Sequence, residues 1–182
     1  MSAEDRRFER IGGRVIHEGT IVTLVTDRFR FADGAEVERE IIRHKGAAGI
    51  VAHDDTHVWL VRQPREAIGD PDFLEIPAGR LDHEGESPLQ AAQRELAEEI
   101  GKQAAHWDSL GAFYTSPGFA DEIIHLFLAT GISDVDERPV LEENERIDIE
   151  LRPLSDLDAI LDETMDSKTL IALYRLKERL RA

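Results

Sequence analysis

One segment near the middle of the chain carries the signals for both ends of a helix. Ser87 is followed by Pro88, which suits the first helical position because its fixed φ is helical and no amide hydrogen is needed there. Gln90 can complete a capping box with Ser87, and Gly101 is the residue type at which helices commonly stop. These signals predict a helix from about Pro88 to Ile100.

The predicted helix carries a cluster of carboxylates. At about 100° per residue, Glu95, Glu98 and Glu99 fall within an arc of about 100°, next to an apolar stripe. Like charges at this spacing repel, and the two in the last turn also oppose the helix dipole. A divalent cation would compensate, and oxygen ligands favour Mg²⁺, Mn²⁺ or Ca²⁺. The spacing alone favours a simpler interpretation, a solvated acidic face on which Arg94 pairs with Glu98 or Glu86.

The segments on either side of this helix have the composition of strands. Asp33-Gly34 lies between two runs rich in β-branched residues, which predicts a hairpin, and a second hairpin is expected around residues 54–56. Two helices are expected to close the chain, one capped by Ser155 and one beginning near Ser167. This mixture indicates the α/β or α+β class. The predicted strands cover 21–31, 36–44, 46–53, 57–63, 73–79, 121–130 and 147–153, and the strand 73–79 is expected to end in a proline–glycine turn.

Length, charge and composition limit what the chain can be. Its 182 residues fit one domain, or a main domain with a small appendage. The net charge of −16 opposes binding to nucleic acid, and the absence of cysteine excludes disulfides and thiolate zinc sites. No apolar run reaches membrane-spanning length and the polar start lacks the core of a signal peptide, so we expect a cytoplasmic protein with no membrane partner. No Walker loop, GxGxxG, GxSxG or HExxH motif is present.

A longer pattern surrounds the carboxylate cluster. After Glu86 come seven residues and then Arg94-Glu95-Leu96-Ala97-Glu98-Glu99-Ile100-Gly101. The pattern resembles the Nudix box, G-x5-E-x7-R-E-U-x-E-E-x-G-U with U a bulky apolar residue, which is the signature of the Nudix hydrolases. Two departures stand out, because six residues instead of five separate Gly79 from Glu86, and Lys102 replaces the last apolar residue. The extra residue raises the question of whether Ala78 keeps its place relative to the helix.

The order of motifs outside the box is similar to that of the ADP-ribose pyrophosphatases. The motifs are REII (39–42), GAAGIV (46–51), VRQPREA (61–67), LEIPAG (74–79), SPGFADE (116–122) and EENE (142–145). The resemblance implies an α/β fold, namely a Nudix-type α/β/α sandwich with a mixed β-sheet and an N-terminal antiparallel β subdomain. It implies that residues 1–45 form that subdomain, for dimerisation and one edge of the substrate site, and that 46–182 form the hydrolase domain. A homodimer is therefore expected.

The resemblance also implies roles for individual residues. Glu95 and Glu99 are expected to bind Mg²⁺, with Mn²⁺ as a possible substitute, together with the carbonyl of Ala78. Glu98 is then a further ligand or the partner of Arg94, and a salt bridge from Glu86 to Arg94 positions the loop before the helix. The substrate-binding residues it implies are Arg39, Glu40, Arg65, Ser116, Gly118 and Glu122, of which Arg39 and Glu40 would reach the adenine from the other subunit.

Hydrolysis of a pyrophosphate also needs a base to activate water. Glu142, Glu143 and Glu145 share one acidic loop and cannot be separated from the residues alone, whereas the resemblance implies Glu143 as the base and Glu145 as a further metal ligand. The expected reaction converts ADP-ribose to AMP and ribose 5-phosphate. Alternatives are another nucleotide sugar such as GDP-mannose, a non-catalytic Nudix module that binds a nucleotide sugar, and an acidic interaction protein with a solvated helix face.

Overall fold

The computed structural model describes residues 6–139 and 146–181. Its strands are β1 (Phe8–Glu18), β2 (Thr23–Phe31), β3 (Glu36–Arg43), β4 (Ala47–His53), β5 (His57–Arg65), β6 (Asp70–Glu75), β7 (Ala78–Arg80), β8 (Lys102–Tyr114), β9 (Ile123–Asp134) and β10 (Asp148–Pro153). Its helices are α1 (Pro88–Ile100), α2 (Leu157–Glu163) and α3 (Ser167–Leu180). The chain divides into two units, the first formed by Met1–Gly46 and Tyr114–Ile123, the second by Ala47–Phe113 and Ile124–Ala182.

The first unit is built on an antiparallel sheet in the order β1-β2-β3. The predicted hairpin between β2 and β3 is confirmed, and in its turn Asp33 accepts a hydrogen bond from the Ala35 amide at 2.9 Å. Gly34 has a φ of 87°, a left-handed conformation that glycine adopts without strain. β1 is not predicted from the sequence, because its residues are mostly exposed and give no apolar alternation.

A buried carboxylate connects the three strands of this sheet. Asp27 on β2 is 1% exposed, Arg10 on β1 lies 2.8 Å from its Oδ1, and Arg43 on β3 donates to its Oδ2 at 2.6 Å. Oδ1 accepts no aligned hydrogen bond from the described residues, so its contact with Arg10 is an ion pair. Arg10 contributes most to lowering the pKa of Asp27, and Arg43 adds to this effect against the opposing influence of burial.

The segment between β8 and β9 joins the first unit through β3. The Ile42 amide donates to the Phe119 carbonyl at 2.8 Å, and the Asp121 amide donates to the Ile42 carbonyl at 3.1 Å. Arg43 donates to the Asp121 carboxylate at 2.9 Å. The first unit therefore contains the SPGFADE motif as well as the N-terminal strands.

The second unit is an α/β/α sandwich around a mixed sheet. Five strands follow the order β10-β5-β4-β9-β8, while β6 pairs with β5 and β7 pairs with β4. β4 is parallel to β9 and antiparallel to β5. Its alternate side chains enter two cores, so that Ile50 belongs to the same core as Leu96 of α1, whereas Val51 belongs to the core that contains Leu173 of α3. The predicted fold class is confirmed.

Helix α1 has the predicted boundaries. The Ser87 hydroxyl accepts a hydrogen bond from the Gln90 amide, and the Gln90 side chain accepts one from the Ser87 amide, so the capping box is complete. Gly101 ends the helix with a φ of 67°. None of the helices in the described part of the chain is long and apolar enough to cross a membrane.

Two predicted elements differ from the structure. The prediction of a single strand over 73–79 that ends in a turn is wrong. β6 ends at Glu75, and Ala78–Arg80 forms a separate strand that pairs with β4. The strand is interrupted because Pro77 has no amide hydrogen for a continuous ladder. Ser155 does not cap α2, because it lies inside a 3₁₀ turn and its hydroxyl donates to Asp156, the residue at the N-cap.

The Asp27 network predicts a pH-dependent contribution to stability. Because the folded-state pKa of Asp27 is lowered, its contribution is present above the unfolded pKa of about 4 and is lost as the pH falls through the folded-state pKa. We expect Asp27→Asn to lower the free energy of unfolding by about 2 kcal/mol at pH 7 and by less at pH 3. Urea unfolding at both pH values measures this, with the exposed Asp33→Asn as control. A loss that does not change with pH would contradict the ion-pair account.

Candidate active site

The Arg94 side chain of α1 is the centre of a carboxylate cluster. Its Nε and Nη2 donate to the two oxygens of Glu86 at 3.0 and 3.1 Å, and its Nη1 donates to Glu95 at 2.6 Å and Glu98 at 2.9 Å. Nη2 also donates to the Arg80 carbonyl at 3.3 Å. The predicted salt bridge between Glu86 and Arg94 is confirmed, and Glu98 is a partner of the same guanidinium.

The electrostatic balance keeps this guanidinium charged. Burial opposes the charged form of Arg94, but hydrogen bonds to Glu86 and Glu95, together with the charge of Glu95, outweigh that effect and raise its pKa. The Arg94 side chain is 19% exposed, so the pairing is screened less than a surface salt bridge would be. One cation therefore compensates the repulsion among the glutamates that surround it.

Two of the predicted metal ligands are buried against strand β7. Glu95 is 8% and Glu99 is 3% exposed. A Cβ added to Gly79 would lie 1.8 Å from the Glu95 carboxylate, so only glycine allows this approach. The Ala78 amide donates to Glu99 Oε2 at 2.9 Å. Ala78 therefore remains next to the helix despite the extra residue before Glu86, which the loop after β7 absorbs.

These carboxylates are engaged with protein groups in the structure. Within 6–139 and 146–181, no group of three or more acidic or histidine side chains has the spacing of a metal site. Glu95 and Glu98 accept hydrogen bonds from Arg94, and Glu99 accepts one from the Ala78 amide. Their chemistry still fits a hard divalent cation, since two buried carboxylates lie beside one backbone strand.

The last turn of α1 has a partner that the sequence does not reveal. Arg138 donates from Nε to the Glu98 carbonyl at 3.1 Å and from Nη2 to the Glu99 carbonyl. A cation at this end compensates the negative end of the helix dipole. Arg138 lies about 40 residues after the helix, so no local pattern indicates the contact.

Arg65, a predicted substrate contact, is tied to a buried carboxylate. Its Nε and Nη2 donate to the two oxygens of Glu75 at 2.5 and 2.7 Å. The Nζ of Lys168, at the start of α3, donates to the same Glu75 carboxylate. In the sequence, Glu75 stands out as a charged residue between two apolar residues, Leu74 and Ile76, both of which are buried. Lys168 is 93 residues away, and no sequence signal indicates its contact with Glu75.

The remaining predicted substrate residues lie in the first unit. Ser116 and Glu122 line a cavity of about 320 Å³, and Glu122 accepts a hydrogen bond from Thr115 at 2.8 Å. Gly118 lies in the turn of the same motif, with open space where a side chain would start. The other residues that line this cavity are Ile21, Val22, Ile42, His44, Thr115, Phe119 and Ala120.

Other predicted residues occupy different positions. Arg39 and Glu40 lie exposed on β3, where Arg39 donates to the Glu38 carbonyl at 2.9 Å. The candidate base Glu143 and candidate ligand Glu145, together with the alternative Glu142, lie outside the described residues. Their assignments stay predictions.

A family model described as NUDIX domain matches residues 43–174. The chain therefore belongs to the Nudix hydrolase family. It is 38% identical over 172 residues to an ADP-ribose pyrophosphatase of Bacillus subtilis (strain 168), covering 92% of each chain. It is 40% identical over 165 residues to a methanol dehydrogenase activator of Bacillus methanolicus, covering 89% of this chain and 88% of that one.

A solved structure has the same fold. The crystal structure of an ADP compounds hydrolase matches 99% of this chain and 97% of its own, with a TM-score of 0.85 and 21% sequence identity. At that identity the likeness concerns the fold alone. The family assignment depends instead on the domain match and the similarity in sequence.

The contact between Gly79 and Glu95 predicts a sensitive position. Gly79→Ala would displace the Glu95 carboxylate, so we expect Mn²⁺ affinity, measured by electron paramagnetic resonance, to fall about tenfold or more. Gly69→Ala is the matched control, because its Cβ would meet nothing within 4 Å. Because Gly69 has a φ of 69°, we expect Gly69→Ala to lower the free energy of unfolding by about 1 kcal/mol. Its Mn²⁺ affinity should be unchanged. Wild-type affinity in Gly79→Ala would contradict the proposed role of Glu95.

Proposed function

We propose that the protein hydrolyses the pyrophosphate bond of a nucleoside diphosphate sugar, with ADP-ribose as the preferred substrate and AMP and ribose 5-phosphate as products. The observation that carries this proposal is the burial of Glu95 and Glu99 against Ala78 and Gly79, in the register of the Nudix box. Similarity over 92% of the chain to an ADP-ribose pyrophosphatase supports the choice of substrate.

Mg²⁺ is the proposed cofactor, and Mn²⁺ is the proposed substitute. Glu95, Glu99 and the Ala78 carbonyl would hold the cation, and Glu145 would add a further ligand. A bound divalent cation would offset the charge of the diphosphate and lower the pKa of a coordinated water. The donor set supports this choice, because carboxylate and carbonyl oxygens suit Mg²⁺ and Mn²⁺ better than softer metals.

The protein's own residues provide the positioning. Arg94 holds Glu86, Glu95 and Glu98 close together through its hydrogen bonds and offsets their mutual repulsion. Arg65 is proposed to contact phosphate, since a guanidinium offers paired donors that match phosphate oxygens. Glu143 is proposed to accept the proton of the attacking water.

The remaining proposed substrate contacts are residues of the first unit. Ser116, Gly118 and Glu122 are proposed to bind substrate at the SPGFADE motif, supported by the cavity that Ser116 and Glu122 line. Arg39 and Glu40 are proposed to reach the adenine of the other subunit's substrate in a homodimer formed by residues 1–45. Exposed apolar side chains on β1, including Phe8 and Val15 at 63% and 59% exposure, support that interface.

Two alternatives make different predictions. A protein selective for another nucleotide sugar, such as GDP-mannose, would release GMP faster than AMP. A non-catalytic binding module would release neither, and the presence of Glu95, Glu98 and Glu99 disfavours it.

The test is nucleotide release from a panel of nucleotide sugars in the presence of Mg²⁺. We expect AMP release from ADP-ribose by the wild-type protein, and a fall of about 100-fold or more in kcat for Glu99→Gln because a metal ligand is lost. Glu84→Gln is the matched control, since Glu84 is exposed in the loop before α1. Equal activity of Glu99→Gln and wild type would contradict the proposed site. Light scattering on the same preparation reports whether the protein is a homodimer.

A further inference from the structure

Glu75 is a carboxylate in an apolar layer of the second unit. It ends β6 and is 1% exposed, between Leu74 at 3% and Ile76 at 0%. A carboxylate at such a depth is costly unless cations and hydrogen bonds compensate it. The fold must therefore place positively charged groups or hydrogen-bond donors next to the Glu75 carboxylate.

Two cations from distant elements supply this compensation. Arg65 at the end of β5 binds both Glu75 oxygens, and Lys168 on α3 binds one of them. Lys168 is itself held by Asp166 at 3.0 Å and is 13% exposed. Burial raises the pKa of Glu75, but Arg65 and Lys168 outweigh burial and lower it, so the carboxylate is ionised.

The segment that follows Glu75 leads directly to the proposed metal site. The Ile76 amide donates to the Thr169 hydroxyl on α3 at 2.8 Å. The Pro77 carbonyl accepts from the Ile50 amide at 2.8 Å, and Ala78 then contacts Glu99. The start of α3 therefore fixes both the Glu75 carboxylate and the backbone that carries Ala78.

Arg65 differs from its partners in being accessible. Its side chain is 41% exposed, while Glu75 is buried and Lys168 is nearly so. The pKa of Arg65 is raised first by its hydrogen bonds to Glu75 and also by the charge of Glu99. The Arg65 guanidinium thus lies within electrostatic reach of a proposed metal ligand.

We infer that Glu75 and Lys168 are positioning residues that fix one edge of the Arg65 guanidinium and leave its exposed part available to the oxygens of the diphosphate. The inference rests on the proposed function, in which Arg65 contacts phosphate. Glu75 uses one side of the guanidinium in a fixed bidentate pair, which limits the orientations of the other side. Lys168 offsets the remaining charge of the carboxylate and keeps it in place.

A double-mutant cycle of Glu75→Gln and Arg65→Ala tests the coupling. Glutamine has only one acceptor oxygen and no charge, so it cannot form the two-oxygen pair with Arg65. We therefore expect Glu75→Gln to weaken binding of inorganic pyrophosphate with Mg²⁺ about tenfold by calorimetry. The KM for ADP-ribose should rise more than kcat falls. In the Arg65→Ala background, Glu75→Gln should produce no further loss, because Glu75 acts through Arg65.

Controls separate positioning from stability. Lys177→Met removes another lysine–carboxylate pair of α3, with Asp158, and should leave pyrophosphate binding unchanged. Lys168→Met should also weaken pyrophosphate binding. If Glu75→Gln does not fold, Lys168→Met tests the inference in its place. The inference would be overturned if both variants kept the wild-type affinity for pyrophosphate per folded molecule. It would also be overturned if the losses in affinity multiplied in the double-mutant cycle.

The outcomes also separate this inference from the proposed substrate. Wild-type protein that binds pyrophosphate but releases no AMP from ADP-ribose would contradict the substrate, while the cycle would still decide the role of Glu75. Wild-type protein that binds no pyrophosphate would overturn the inference even if ADP-ribose is hydrolysed.

Discussion

Repulsion among carboxylates is the constraint on which the second unit depends. Helix α1 brings Glu95, Glu98 and Glu99 to one side, where they would destabilise the helix without compensation. Arg94 compensates by binding Glu95, Glu98 and the preceding Glu86. Glu99 instead accepts from the backbone of β7. The arrangement explains how a helix can keep buried carboxylates close together without a second basic side chain in its own sequence.

A second charged centre lies at the other end of the short segment between β6 and β7. Glu75 and its two cations fix one end of that segment, and the contact of Ala78 with Glu99 fixes the other. A hydrogen bond to the Thr169 hydroxyl of α3 and one from the Ile50 amide of β4 hold the backbone between them. Helix α3 thus stabilises the candidate site although it contributes no proposed ligand to it.

The parts of the structure predicted from sequence are those with local signals. The ends of α1 follow from Ser87 and Gly101, and the pairing of Glu86 with Arg94 follows from the box pattern. Strand β1 gave no signal because most of its residues are exposed. The contacts of Glu75 with Lys168 and of Arg138 with the end of α1 join residues far apart in the chain, so only tertiary packing determines them.

The central claim is that the carboxylates beside β7 bind the divalent cation of a Nudix hydrolase. Anomalous diffraction from crystals soaked in Mn²⁺ tests it most directly, because the signal locates the ion without reference to activity. The account predicts a Mn²⁺ peak about 2.1 Å from oxygens of Glu95, Glu99 and the Ala78 carbonyl, the distance expected for a small hard cation. Mn²⁺ bound only at sites away from these three residues would contradict it.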